Sequence, residues 1–128
     1  MSTSKHFKQY ELECHCGCGQ NKMGEKFLSL LEDLRTYYGK PINISSAYRC
    51  PEHNNNVSNS GFWGPHTTGQ AVDIVICGFN AMHLLKGILA IGFSGVGISQ
   101  RGSHEKRFIH IDTLMDEVNP PRPWIWSY

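Results

Sequence analysis

The amino-acid sequence predicts an α+β domain, a small antiparallel sheet with helices packed on one side. Apolar residues recur at helical spacing in two separated stretches, from Met23 to Tyr38 and from Met82 to Leu89. Four others, residues 42–48, 71–77, 95–100 and 107–114, carry the alternation or β-branched content of strands. The length of 128 residues, with 40% hydrophobic and 18% charged, suits one core rather than two. No repeat, linker or low-complexity run divides the chain, so residues 1–128 are expected to form a single domain.

Taken in order, Met23, Phe27, Leu30, Leu31, Leu34 and Tyr38 give a first amphipathic helix over about residues 24–38, with Gly39 and Pro41 as its stop signal. Residues 42–48 then alternate as a half-buried strand does and deliver Arg49 to its end. Pro51 suits the first turn of a short helix through the Asn-rich stretch. Residues 57–65 turn to Ser, Asn and Gly and read as a surface loop that exposes Phe62 and Trp63. The β-branched run 71–77 suits a central strand. Asn80 is placed to cap a second helix carried by Met82, Leu85, Ile88 and Leu89 and closed by Gly92. Residues 95–100 and 107–114 form a hairpin around Gly102 and Ser103. The tail from Asn119 to Tyr128 is expected to be irregular because of its prolines, with its two tryptophans packing it onto the body.

Composition bounds the partners. A formal charge of +1 offers no general attraction to phosphate backbones, so no nucleic acid is expected. The opening Met-Ser-Thr-Ser-Lys-His is polar, and no apolar run approaches the roughly 20 residues of a bilayer span. Neither an export signal nor membrane insertion is therefore expected, and synthesis is placed in the cytoplasm. Five cysteines cannot all pair within one chain, and without a signal peptide they read as reduced thiols or ligands.

Two clusters carry the chemistry: His66-Thr-Thr-Gly-Gln-Ala-Val-Asp73 and Phe108-Ile-His110-Ile-Asp112. Together they offer two imidazoles and two carboxylates, the raw material of a zinc site with three protein ligands and one position for water. On strands, Asp73 shares a face with Ala71 and Val75, and His110 shares one with Phe108 and Asp112. If the two strands are neighbours with those faces aligned, Asp73 and His110 converge, and His66 folds in from the preceding loop through Gly69. Taken singly, a strand histidine is more often a packed or surface residue; the joint spacing is what points to metal.

Four motifs follow one another along the chain: Ser45-Ser-Ala-Tyr-Arg-Cys-Pro51, then Asn54 and Asn55, then His66-x-x-Gly69-x-Ala71-x-Asp73, then Phe108-Ile-His110-Ile-Asp112. In that order they resemble the M15 family of zinc peptidases, which includes D-Ala-D-Ala carboxypeptidases and phage peptidoglycan endopeptidases. The resemblance covers about residues 20–115. It implies a fold shared with the amino-terminal signalling domain of hedgehog proteins, with the Cys-rich start and the Pro/Trp-rich tail packed on that core. It further implies a catalytic Zn2+ held by His66, Asp73 and His110, an Arg49 that grips a substrate carboxylate or polarises the scissile carbonyl, and peptidoglycan stem peptides as substrates.

The chemistry agrees with that implication. Two neutral imidazoles and one carboxylate leave zinc enough charge to bring the pKa of bound water to roughly 7. Arg49 has a rigid fork matched to a terminal carboxylate, which favours a carboxypeptidase over an endopeptidase; a structural ion pair with a surface acid is its other reading. Many family members place a carboxylate three residues before the last zinc histidine, or a histidine two before it, and here those positions hold Arg107 and Phe108. Asp112, on the metal-facing side of its strand, is the preferred proton acceptor, with Glu105 in the preceding loop beside His104 as the alternative. Asp112 also reads as a carboxylate that orients a ligand imidazole. Gly64 stands where many members have a serine two before the first ligand.

The Cys14-His-Cys-Gly-Cys18 run reads first as a loop of free or oxidisable cysteines. A second, structural ion on Cys14, Cys16 and Cys18 is the less favoured reading, because Cys-x-Cys lacks the usual two-residue gap; Cys50 completes such a site only if the amino-terminal segment folds back over the arginine strand. His15, His53 and His83 read as surface residues. Trp63 and Phe62 are candidate contacts to a wall fragment or local packing anchors. Two functions remain open: a zinc peptidase of peptidoglycan, expected as a monomer and released to the wall during phage lysis or carried in a virion, and a noncatalytic zinc-stabilised wall-binding or phage structural domain.

Overall fold

The computed structural model describes residues 3–115 and 120–128. Met1, Ser2 and Asn119, which belong to the polar opening and to the start of the Pro-rich tail, lie outside the described residues. In chain order the elements are α1 (Gln9–Leu12), α2 (Glu25–Tyr38), β1 (Ile44–Ser46), α3 (Pro51–Val57), β2 (Ala71–Val75), α4 (Gly78–Ile91), β3 (Gly95–Ser99), β4 (Phe108–Asp112) and β5 (Trp124–Ser127), with 3-10 turns at Pro65–Thr68 and His104–Lys106. The α+β expectation stands. No helix among the described residues is long and apolar enough to cross a membrane.

The five strands lie in the order β1-β2-β4-β3-β5. The first four pair antiparallel, and β3 pairs with β4 as the expected hairpin, Gly95 opposite Asp112 and Ser99 opposite Phe108. One face of the sheet is apolar. Val72 and Ile74 of β2, Ile109 and Ile111 of β4 and Val96 of β3 join Leu31 and Leu34 of α2 and Leu84 and Ile88 of α4 in one buried cluster. Alternation along each strand then turns Asp73 and His110 to the opposite face.

Helix α2 follows its sequence signals closely. Glu25 sits in its first turn and Arg35 in its last, each on the favourable end of the helix dipole. Gly39 ends it in the left-handed conformation, φ 75°, donating its N–H to the Arg35 carbonyl. Helix α4 differs from expectation at its start. It begins at Gly78 behind Cys77, so Asn80 lies inside the first turn, where its side-chain oxygen accepts from Lys40 Nζ at 3.1 Å instead of capping. The buried face is correspondingly rotated. Ala81, Leu84, Gly87 and Ile88 face inward while Met82 and Leu89 are exposed. Gly87 explains the choice: a Cβ there would stand 2.6 Å from the Tyr37 ring, so only glycine allows α2 and α4 this approach.

Two further corrections bear on the site. The predicted strand 42–48 shrinks to Ile44–Ser46, because a register irregularity sets Ile44 opposite Ile74 but Ser46 opposite Asp73 and turns the chain away toward Arg49. From Trp124 onward the carboxy-terminal tail is not irregular. Its prolines end at Pro123, and Trp124–Ser127 then pairs parallel with β3, Gly97 opposite Trp126. Proline constrains its own residue and the one before it, so an edge strand can begin directly after it. Gly97 makes room for the tail, since a Cβ there would lie 2.6 Å from Trp126 Nε1.

Candidate metal centre

Two local devices deliver the His66, Asp73 and His110 trio. His66 rides on the 3-10 turn Pro65–Thr68, which Gly69 closes at φ 75°. No other residue suits position 69: besides its left-handed backbone, a Cβ would collide with the Lys22 carbonyl, and Gly69 accepts the Gly24 N–H at 2.9 Å. Asp73 and His110 are directly paired across the β2–β4 ladder. One ligand atom from each of the three side chains lies within 4.8 Å of the others.

The spacing suits a tetrahedral cation. His66 Nε2 stands 3.3 Å and His110 Nδ1 2.9 Å from Asp73 Oδ1, whereas ligands about 2.0–2.1 Å from zinc are separated by roughly 3.3 Å along a tetrahedral edge. The tautomers are prepared as well. His66 Nδ1 donates to the Ala47 carbonyl at 2.8 Å, which leaves the Nε2 lone pair facing Asp73. His110 Nε2 donates to Asp112 Oδ2 at 2.7 Å, which leaves Nδ1 on the Asp73 side. The two rings meet edge to face, with centroids 5.2 Å apart.

Electrostatics follow from these contacts. Burial opposes ionisation of Asp73, but its contacts with the His110 and His66 rings outweigh burial and hold the carboxyl well below the usual carboxylate range. Burial likewise disfavours the charged His110 ring, yet its bonds to Asp112 and Asp73 raise its pKa overall. A buried imidazole flanked by two carboxylates is a strong attractor for either a proton or a metal ion.

Arg49 is brought to the same place. Its Nη2 lies 3.7 Å from Asp73 Oδ2, its Nε donates to Ser46 Oγ at 3.1 Å and its Nη1 to Asn54 Oδ1 at 3.2 Å. Asn54 is itself buried and anchors the neighbouring loop through Ser60 Oγ and the Gly61 carbonyl. The same crowding accounts for Gly64, where a Cβ would stand 3.1 Å from Asn54 Nδ2 and would press on Ser60. Arg49, Asn54, His66, Asp73 and His110 together line a cleft of about 370 Å³.

Three other expected site residues fall elsewhere. Asp112 is on the metal-facing side of β4 but fully buried behind His110, where Arg122 grips it bidentately, Nε to Oδ1 at 2.9 Å and Nη2 to Oδ2 at 2.7 Å. Burial would raise its pKa, but Arg122 and His110 hold it down to about 2. Glu105 sits on the exposed turn His104–Lys106 and lines a separate pocket with Tyr38, Pro41 and Cys77. Trp63 projects into solvent, 76% exposed, while Ser58, Asn59 and Ser60 of the same loop reach the cleft.

Sequence reasoning missed the carboxy-terminal wall. Trp126 packs against the His110 ring with centroids 5.3 Å apart, and Tyr128 packs on Phe108 at 5.0 Å; both line the cleft. Partial burial raises the Tyr128 hydroxyl pKa, and a phenol with an ordinary pKa of about 10 is already protonated near neutral pH. The signal was present. Trp124, Trp126 and Tyr128 recur at every second position, the period of a strand. The cysteine run also behaves otherwise than a loop of independent thiols: the amino-terminal segment does fold back, Tyr48 N–H bonding the Leu12 carbonyl at 3.1 Å, and Cys14, Cys16, Cys18 and Cys50 converge.

In comparison with known proteins, the family model described as Peptidase M15 matches residues 5–112 of this chain. No curated protein matches it.

Proposed function

The chain belongs to the peptidase M15 family, and on that premise we propose that it is a zinc-dependent peptidoglycan peptidase that hydrolyses a peptide bond involving D-amino acids, of the D-Ala-D-Ala carboxypeptidase type. The observation that carries this reading is the meeting of His66, Asp73 and His110 beside Arg49 in one cleft. A zinc ion in that trio would supply a water molecule acidic enough to be deprotonated near neutral pH and a Lewis acid for the scissile carbonyl.

The residues around the trio divide the remaining work. His66 and His110 are held in ligand-ready tautomers by the Ala47 carbonyl and by Asp112. Arg49 is fixed by Ser46 and Asn54 with one face toward the cleft, a geometry suited to a substrate's terminal carboxylate. That is the argument for an exopeptidase acting on a stem peptide. Tyr128 provides a neutral hydroxyl at the rim and Trp126 keeps water from the His110 ring. Asp112 acts through His110, orienting it and raising its basicity rather than touching substrate. Trp63 is left for contact with a larger wall fragment outside the cleft.

A second reading, a noncatalytic zinc-stabilised wall-binding or phage structural domain, is favoured by one observation. Neither carboxylate expected to accept a proton lines the cleft, since Asp112 is buried behind His110 and Glu105 belongs to another pocket. Digestion of a defined pentapeptide muropeptide, read by mass spectrometry, separates the two. A product lighter by one D-Ala supports the peptidase. Binding of the wall with no new amine and no free D-Ala supports the other reading.

A further inference from the structure

We propose that Cys14, Cys16, Cys18 and Cys50 form a second metal site that holds a structural zinc ion and staples the amino-terminal segment to the wall carrying Arg49. The geometry is that of a tetrathiolate site. Cys14 Sγ lies 3.5 Å from Cys16 Sγ and 3.7 Å from Cys50 Sγ, and Cys16 and Cys50 are 3.7 Å apart. Four sulfurs about 2.3 Å from a zinc ion are separated by roughly 3.8 Å along each tetrahedral edge. One sulfur from each of the four cysteines falls within 4.8 Å of the rest. A disulfide needs its two sulfurs near 2.05 Å, and all four residues are free thiols here.

The backbone is arranged to solvate charge on those sulfurs. The Cys50 N–H donates to Cys14 Sγ at 3.3 Å. The backbone amides of Cys18, Gln20 and His53 favour the charged forms of Cys16, Cys18 and Cys50 in turn. On binding zinc, the four thiols release four protons to solvent, and four thiolates on a dication leave a net charge of −2 that these donors stabilise. Gly17 and Gly19, at φ 90° and 74°, allow the tight reversals that let Cys-x-Cys-x-Cys present three sulfurs to one point despite its short spacing. The closing bond of the turn, Cys14 N–H to the Gln20 carbonyl, is 2.8 Å.

The position gives the ion a purpose. Cys50 follows Arg49 directly and is the residue from which α3 springs, so a metal on Cys50 fixes both the arginine and the helix bearing its partner Asn54. Cys14 and Cys50 are buried while Cys16 and Cys18 are exposed, which leaves the ion at the surface with an open route for loading.

The test uses the full chain, reduced and loaded with zinc, and counts bound metal per chain by mass spectrometry of the elements. Wild type is expected to hold two equivalents, Cys16→Ser/Cys18→Ser one, Asp73→Ala one, and Cys77→Ser two. Cobalt reconstitution provides a signature independent of activity: a thiolate-to-cobalt charge-transfer band is expected in wild type and in Asp73→Ala, and none in the double cysteine variant. Because Asp73→Ala removes only the other site, failure of this proposal and failure of the peptidase reading are read separately. Should the double variant not fold, alkylation of wild type decides: with zinc bound, of the five thiols only Cys77 is expected to label, and a chelator exposes the other four. Equal labelling of all five thiols with and without zinc, or a mass deficit showing a disulfide among the four in zinc-loaded protein, overturns the proposal.

Discussion

Asp73 stands directly opposite His110 in the β2–β4 ladder, and the two side chains meet at 2.9 Å. Direct partners in an antiparallel pair lie on the same face with their Cβ atoms about 4.5–5.5 Å apart, so the register of two strands alone places these groups within ligand distance. Shifting β4 by one residue would turn His110 into the apolar core and bring Ile109 or Ile111 to the cleft. The register is itself enforced by burial of Val72, Ile74, Ile109 and Ile111 on the other face. Packing on one side of the sheet thus sets chemistry on the other.

Asp112 is the support behind that pair, and its removal should be felt through the metal. Asp112→Asn keeps the shape but replaces the carboxylate that orients His110, so zinc affinity at the His/Asp/His site should fall about 10–100-fold, with activity at saturating zinc recovering most of its value. Arg122→Ala strands a buried carboxylate and should cost about 3–5 kcal/mol in a denaturant melt. Zinc titration and unfolding of the two variants check both numbers. Wild-type affinity in Asp112→Asn, with activity abolished at every zinc level, would instead make Asp112 the proton acceptor.

The pairing Asp73 to His110 was legible because two independent sequence features, strand parity and motif spacing, specify the same geometry. Helix α2 was legible for a like reason: its apolar period and its Gly39 and Pro41 stop agree. What escaped depended on long-range fit. Asn80 looked like a cap, yet α4 begins two residues before it, and its buried face meets α2 where Gly87 lies against Tyr37, a contact between residues fifty apart. Proline content masked β5, although alternating aromatics marked it. Arg122, which decides whether Asp112 is free, lies ten residues downstream in that tail and is paired only through the fold. The convergence of the cysteine run was hard to read from its spacing, since Cys50 reaches it only through the fold and its turns rely on Gly17 and Gly19.

Stability of the chelator-treated protein should have an acid-to-neutral optimum. With Asp112 held down to about 2 by Arg122 and His110 against its burial, its contribution is present above about 4 and is lost as pH falls toward 2. His110 runs the other way. Its raised folded pKa makes its contribution complete below about 6.5 and lost as pH climbs through the raised value. The Tm difference between wild type and Asp112→Asn should therefore be largest between about pH 4 and 6.5 and shrink on both sides. A difference that grows steadily up to pH 8 would contradict the assignment of these two groups.

Arg49 should matter to carboxylate-ended substrates above all. Arg49→Lys keeps the charge but loses the fork held by Ser46 and Asn54, and a charge-assisted bidentate contact of this kind is worth about 2–3 kcal/mol. The expected result is a KM raised roughly 30–150-fold for a D-alanyl peptide, and little change for the same peptide with its terminus amidated. Equal losses on both peptides would place Arg49 on the scissile carbonyl and favour endopeptidase action.

Glu105→Gln should leave turnover at the wild-type rate, because Glu105 faces a different pocket from the trio. A loss of about 100-fold or more in kcat, the range of general-base effects, would return that carboxylate to the reaction.

The most direct measurement is zinc titration of His66→Ala, Asp73→Ala and His110→Ala, each made in the Cys16→Ser/Cys18→Ser background so that a single class of site is read. The parent should bind one equivalent, and each substitution should abolish that binding while circular dichroism shows the fold intact. One equivalent retained at undiminished affinity in all three folded variants would show that these side chains do not hold the ion.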